Sequence, residues 1–338
     1  MFGLWGRVSA VRHRIGRLWR GPRPTILMYH RIAEPPYDPW GLAVAPGRFS
    51  EQLRELSRTR NLLSMDQLAA RLRRRALDGN EVAITFDDGY ADNLAVAKPL
   101  LAKAGAPATV FVTTGLLGSG AQFWWDELAH LCFGVVKAVA SEVELGGRKY
   151  QLELSARLTP AHSNWFYKTP PKTAREKLYL ELWQALQRLD ETERAVCMQR
   201  LRAALGPAPA EAGNLPMQRE DLRRLVTGGL ITVGGHARTH PALTALPKEQ
   251  KRDEIERCRR ELEQLTGGVI SGFAYPFGDR DDEAKELTRA AGYTWAVCTH
   301  AAPVDGGQFD LFDLPRMQVL NWTGAELLGA LDGLAEAV

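Results

Sequence analysis

The chain has 338 residues, 45% hydrophobic and 25% charged, with 43 basic against 40 acidic side chains and a net charge of +3. That length buries roughly 75% of the unfolded surface, so a full enzyme core needs no disulfide staples. The small net charge gives no electrostatic footprint for nucleic acid, and no helix-turn-helix, zinc-finger or RNA-binding signature is present. The four cysteines, Cys132, Cys197, Cys258 and Cys298, are too scattered for a disulfide framework or thiolate metal site, and read as buried free thiols.

The first 24 residues carry Arg7, Arg12, Arg14, Arg17, Arg20 and Arg23 and no acid. Leu4, Val8, Val11, Ile15 and Leu18 recur at helical spacing, giving a basic amphipathic helix over residues 1–22. Either it docks on the domain through its apolar stripe, or residues 4–19 touch a membrane surface. No apolar run reaches the ~20 residues that span a bilayer, and the continuous apolar stretch of a secretory signal is missing. The expectation is a cytoplasmic protein, or one peripheral at the inner face of the membrane.

From residue 25 onward, short β-branched runs alternate with helical patterns, as in βα units around a parallel sheet. Seven strands are expected: Thr25–His30, Val82–Asp87, Ala108–Thr113, Leu230–Gly235, Ile270–Pro276, Trp295–Thr299 and Arg316–Leu320. Helical segments are expected near 47–59, 64–75, 92–104, 218–228, 248–266, 281–291 and 323–336. Seven such units suggest an α/β fold closed or nearly closed into a barrel, with reactive groups at the C-terminal ends of its strands. A mostly helical insertion at about 119–215 interrupts the rhythm after the third strand, within one domain of residues 23–338. It contains a hairpin over Glu142–Leu154 turning at Gly146-Gly147, then a long helix over Thr173–Leu205 broken near Asp190.

Two strand ends carry chemistry. Thr85-Phe86-Asp87-Asp88-Gly89-Tyr90 puts adjacent carboxylates directly after an apolar run, where they repel unless a cation or proton lies between them. By themselves they serve equally well as caps of the next helix. His236-Ala237-Arg238-Thr239-His240 likewise follows an apolar run and a Gly-Gly pair. In one helical turn, residues four apart can bring both imidazoles to one ion, although two solvent-facing histidines have the same spacing. Two imidazoles and one carboxylate leave a coordination position open, the arrangement of a catalytic divalent metal, with Zn²⁺ the first expectation. The other carboxylate is then free to take a proton from water, provided that the backbone turns at Gly89.

Thr85–Tyr90, His236–His240 and Tyr275-Pro276-Phe277-Gly278 resemble the successive motifs of the polysaccharide deacetylase family, which shares the NodB-homology domain. The resemblance covers about 25–118 and 216–320. It implies a distorted (β/α)7 barrel, a divalent metal on Asp88, His236 and His240, Asp87 as general base, and hydrolysis of an acetamide on a sugar. It also implies an oxyanion donor in the Phe277 backbone N–H. Family members often carry an arginine two residues before the proline of the third motif; this chain has Ala274 there. Arg316 is the candidate for orienting the base, and stands with Trp125, Tyr275 and Phe277 among the candidate substrate contacts. Trp124 is a further candidate for the aromatic wall.

The family's later Leu-x-His motif, source of the general acid, is missing. His13, His130 and His162 lie in the basic helix or the insertion, which leaves His30 and His300, with His30 preferred because it ends the cleaner strand pattern. The expected partner is an N-acetylated polysaccharide or lipid-linked glycan of cell-envelope or exopolysaccharide assembly, and no nucleic acid. The rival readings are a metal amidohydrolase acting on a small or cyclic amide, and a non-catalytic carbohydrate-binding relative.

Overall fold

The computed structural model describes residues 23–135, 139–155, 165–208 and 212–336. The basic segment 1–22, its expected helix and its membrane contact lie outside the described residues, as do His13 and His162. The chain folds in the order β1 (Thr25–Tyr29), α1 (Pro46–Thr59), β2 (Asn61–Leu63), α2 (Met65–Arg74), β3 (Glu81–Phe86), α3 (Lys98–Ala104) and β4 (Ala108–Val112). The insertion follows with α4 (Trp124–Phe133), β5 (Val139–Leu145), β6 (Arg148–Leu154), α5 (Ala174–Gln187) and α6 (Glu191–Leu205). The barrel resumes with α7 (Asp221–Val226), β7 (Ile231–Gly235), α8 (Lys248–Thr266), β8 (Gly272–Ala274), α9 (Asp282–Ala290), β9 (Trp295–Val297), β10 (Met317–Gln318) and α10 (Gly324–Glu336).

Seven parallel strands pair in the order β10-β1-β3-β4-β7-β8-β9, and β2 adds to the first half of β3. The sheet curls until its ends meet, where Leu314 donates to Ala296 O and accepts from Cys298 N. This is the distorted (β/α)7 barrel. Its strands are buried on both faces, as β1 and β3 are throughout, and so appear as apolar runs rather than alternations. Close approach explains the glycines of β7 and β8. A Cβ on Gly234 would lie 2.5 Å from the Phe111 ring, and one on Gly272 only 2.0 Å from that of Trp295. Those two rings, 5.8 Å apart edge to face, fill the space the glycines leave.

Several strands are shorter than the expected spans. The last pairs only over Met317–Gln318 and the fifth over Gly272–Ala274, because the flanking residues turn into the rim loops. Register aligns the strand ends: Tyr29 pairs with Phe86, Val112 with Gly235, Gly235 with Phe273 and Ala274 with Val297. His30, Asp87 and His236 therefore leave the sheet on one rim.

The insertion is mostly helical and builds a core of its own from α4, the hairpin, α5 and α6, including Leu131, Phe133, Leu152, Tyr179, Leu182 and Leu201. Gly146 and Gly147 take φ of 56° and 77° at the hairpin turn, the left-handed pair that a two-residue loop requires. The expected long helix breaks at Asp190, whose side chain caps α6 by accepting from Glu193 N, while Thr173 and Glu176 form a capping box on α5. All four cysteines are free and buried. No helix among the described residues is long and apolar enough to cross a membrane.

Candidate active site

The carboxylate pair leaves β3 through a tight turn in which Asp88 itself has φ 73° and Gly89 φ 80°. The turn that separates the two carboxylates thus starts one residue before the glycine expected to make it. Asp88 Oδ1 lies 3.4 Å from His236 Nε2 and 3.4 Å from His240 Nε2, with all three side chains buried. Ligand atoms about 2.0–2.1 Å from one ion at tetrahedral angles stand about 3.3 Å apart, so this triangle has the dimensions of a first-row metal site. His236 Nδ1 is 2.8 Å from Ala274 O, which fixes the proton on that nitrogen and leaves the Nε2 lone pair for an ion. The residues present fit a divalent cation with a position open to water or substrate.

The histidine pair does not sit in a helical turn. Residues 236–240 form an irregular loop in which Ala237 and His240 are both left-handed, with φ of 59° and 58°. The two imidazoles converge because that loop doubles back, and the surroundings hold it there. Glu254 of α8 accepts from Arg238 N at 2.7 Å, Thr239 N at 2.8 Å and Thr239 Oγ1 at 2.7 Å. Buried Arg194 of the insertion donates to Thr239 O at 3.2 Å. Of the five non-glycine residues with positive φ among those described, Asp88, Ala237, His240 and Phe277 belong to this rim, a concentration of backbone strain typical of functional sites. Sequence reasoning missed Glu254, which stands among the alternating charges of α8 with nothing to mark it from the solvent face. Glu254→Ala is expected to weaken metal affinity about 10- to 100-fold, read by titrating metal into stripped protein; unchanged affinity would mean that the loop holds itself.

Asp87 has a different surrounding. Arg316 donates from both terminal nitrogens to its two carboxylate oxygens, each at 2.6 Å, and from Nε to Cys298 O at 3.0 Å. Both side chains are buried. Burial is the strongest single influence and acts to raise the Asp87 pKa, but Arg316, His236 and His30 together outweigh it and hold the carboxyl below its ordinary value. Arg316 is therefore bound to Asp87 through a bidentate pair from the last strand and does not line the cleft. An arginine thus pairs with Asp87 although the third motif carries Ala274.

The site opens into a cleft of about 290 Å³ lined by His30, Asp87, Asp88, Trp125, His236, His240 and Phe277, and further out by Trp40, Tyr167, Lys168, Trp183 and Gln187. His30 faces this cleft with a buried Nδ1 that has no hydrogen-bond partner. Burial lowers its pKa more than Asp88 and Asp87 raise it. His300 is exposed and is not among the lining residues, so of the two candidate acids the fold brings only His30 to the carboxylates. Tyr275 is a correction too. It is fully buried and donates its hydroxyl to Phe312 O at 3.0 Å, so it supports the barrel wall rather than touching the cleft. Phe277 and Trp125 flank His240, with ring centroids at 4.4 Å and 4.8 Å. Trp124 is not among the lining residues and meets Trp125 edge to face.

Behind Trp125 lies a buried polar network that the sequence did not suggest. Trp125 Nε1 donates to Tyr90 Oη at 2.8 Å, and Tyr90 donates to Asp126 Oδ2 at 2.8 Å. Arg31 reaches toward Asp92 and Asp126, at 3.6 Å and 3.8 Å, and donates to Gly213 O at 2.8 Å. It thereby ties both roots of the insertion to the end of β1.

The sequence matches the polysaccharide deacetylase family over residues 74–141 and 205–296, two segments that contain the Asp87-Asp88, His236–His240 and Tyr275–Gly278 motifs and skip most of the insertion. The chain belongs to the polysaccharide deacetylase family. These are hydrolases of N-acetyl amide bonds. Among solved structures it is similar to the Streptococcus pyogenes deacetylase PplD in complex with acetate, at 18% identity over 92% of this chain and 98% of that one, with a TM-score of 0.59. It is also similar to IcaB from Ammonifex degensii, at 16% identity, 92% and 97% coverage and a TM-score of 0.56. A third likeness is to the de-N-acetylase from Aggregatibacter actinomycetemcomitans, at 14% identity, 91% and 99% coverage and a TM-score of 0.53. At these identities the likeness is one of fold. No curated protein matches the chain significantly.

Proposed function

We propose that this deacetylase is metal-dependent and removes N-acetyl groups from amino sugars of a polysaccharide or lipid-linked glycan, in cell-envelope or exopolysaccharide assembly. The observation that carries this reading is the pairing of two unlike carboxylates at the floor of one aromatic cleft. Asp88 is grouped with two imidazoles, and Asp87 is kept ionised by Arg316. A divalent cation on Asp88, His236 and His240, with Zn²⁺ the first candidate, would lower the pKa of water there toward neutrality.

Asp87, ionised and fixed in orientation, takes the proton from the attacking water. The tetrahedral oxyanion that results needs a positioned donor, and the Phe277 N–H, in a backbone held at φ 58°, is the one assigned to it. His30, which faces the cleft with an unpartnered Nδ1, gives a proton to the leaving amine. Phe277 and Trp125, which flank His240, wall the cleft beside these residues.

Metal analysis combined with acetate release from N-acetylglucosamine oligomers tests the reading. Wild-type protein is expected to hold metal and release acetate. Asp87→Asn and His30→Ala should keep the metal and lose about 10²–10⁴ in turnover. Bound metal without acetate release from any glycan would instead favour a small-amide substrate, and failure to bind metal would end both readings. Wild-type turnover in metal-loaded His30→Ala would remove His30 from the mechanism.

A further inference from the structure

The reaction uses only the inner half of the cleft. The outer half is built by the insertion and the loop after β1, and it is organised. The Trp40 ring lies between those of Tyr167 and Trp183, with centroids at 4.3 Å and 4.2 Å and planes inclined by 32° and 35°. Trp40 is not free to swing, because its indole N–H donates to Tyr179 Oη at 2.7 Å and its carbonyl accepts from Gln318 at 3.0 Å. Phe277 joins the halves, packing against His240 at 4.4 Å and Trp183 at 5.7 Å. The three rings are half-buried, packed on one another and all line the cleft, so what they leave uncovered is a fixed apolar surface beside the reacting centre that suits a second sugar.

Lys168 stands at the edge of this platform and, among the described residues, is the only lysine or arginine lining the cleft. It has no carboxylate partner among the described residues; its ammonium lies 5.7 Å from the Tyr167 ring centre and 5.9 Å from that of Phe166. The surface ion pairs elsewhere show how readily other cations of this chain find acids, as Lys149 does with Glu142 and Lys285 with Asp282. The other formal charges in the cleft are Asp87 and Asp88, both already engaged at its floor.

We propose that Trp40, Tyr167 and Trp183, with Lys168 at their edge, form a subsite for the unit next to the N-acetylated sugar, and that this unit carries an anionic oxygen group. The inference rests on the deacetylase reading and narrows it to acidic glycans, in which the anion is either a phosphate ester or a uronate carboxylate.

Equilibrium binding read by tryptophan fluorescence, with Asp87→Asn in the metal-loaded protein to stop turnover, separates the possibilities. The probes are neutral N,N′-diacetylchitobiose, N-acetylglucosamine 1-phosphate, and a disaccharide of N-acetylglucosamine and glucuronic acid. At least one anionic probe is expected to bind about five- to tenfold more tightly than the neutral one, and which one identifies the anion. Adding Lys168→Gln, an exposed change that leaves the core alone, should abolish that preference without weakening the neutral probe. Trp183→Ala should weaken the two disaccharides, whose second sugar lies on the rings, more than the phosphate monosaccharide. Equal binding of the three probes, an equal loss for all of them in Lys168→Gln, or unchanged binding in Trp183→Ala would overturn the subsite. Acetate release without an anion preference would retain the deacetylase reading and remove the subsite; a Lys168-dependent preference without acetate release would do the reverse.

Discussion

Arg316→Met is expected to lower turnover about 10²–10⁴-fold, as far as loss of the base itself, and to cost about 3–5 kcal/mol of stability. Both effects have one source. The substitution keeps an unbranched apolar stem but leaves Asp87 as a buried carboxylate without the two 2.6 Å bonds that now offset its desolvation. Thr85 loses a donor as well, since Arg316 also reaches its hydroxyl at 3.1 Å. Arg316→Lys restores charge but not the planar fork, and should recover stability more than rate. Asp87→Asn added to Arg316→Met should cost less stability than Arg316→Met alone, because the charge that was stranded is gone. Urea unfolding of the four proteins with acetate-release kinetics checks this. Turnover near wild type in Arg316→Met would show that Asp87 needs no partner to act.

That pair spans 229 residues, and its legibility in sequence differed from that of the metal triangle for a physical reason. Strands buried on both faces announce themselves as apolar runs, and in a barrel whatever follows such a run lies on the rim. Asp87, Asp88 and His236 were therefore placed by local pattern alone. The conformation of the histidine loop was not, because four-residue spacing brings two side chains together in a helical turn and equally in a loop with two left-handed residues, and Ala237 carries no glycine to signal one. Tyr275 was misassigned because a strand's side chains alternate faces, and a three-residue strand leaves too little pattern to tell the barrel wall from the rim. Trp124 and Trp125 suffered the helical version of the problem. Neighbours on α4 point about 100° apart, so only one of them can face the cleft. The outer rings at Trp40, Tyr167 and Trp183 come from three separated segments that only the folded insertion assembles. β2 has three residues, only one of them buried, and is too short for any periodicity to show.

The network at the roots of the insertion leads to a stability effect of unusual sign. Burial raises the pKa of Asp126 to about 7 against an ordinary value of 3.8, even though Arg31 and the Tyr90 hydroxyl pull it down. Burial also raises Asp92 and Asp38, which share the same arginine. A carboxyl whose folded pKa lies above its unfolded one binds its proton more tightly in the folded state, so it favours folding at acid pH. That contribution is lost as pH rises from about 4 to about 7. Asp126→Asn, neutral throughout and still able to accept from Tyr90, should therefore unfold at a higher temperature than wild type at pH 8 and at nearly the same temperature at pH 5. Arg31→Met should do the opposite, destabilising by about 3–5 kcal/mol at pH 8, where it strands buried carboxylates, and by less at pH 5, where they are protonated. Melting temperatures of the three proteins at the two pH values decide it, and an Asp126→Asn shift of equal size at both would show that Asp126 is not what titrates. The effect reaches the chemistry through geometry: Asp126 holds Tyr90, Tyr90 holds Trp125, and the Trp125 ring lies 4.8 Å from that of His240. Apolar side chains would serve stability alone better than this group of ionisable ones, so the network is better understood as fixing where the insertion stands over Asp88, His236 and His240.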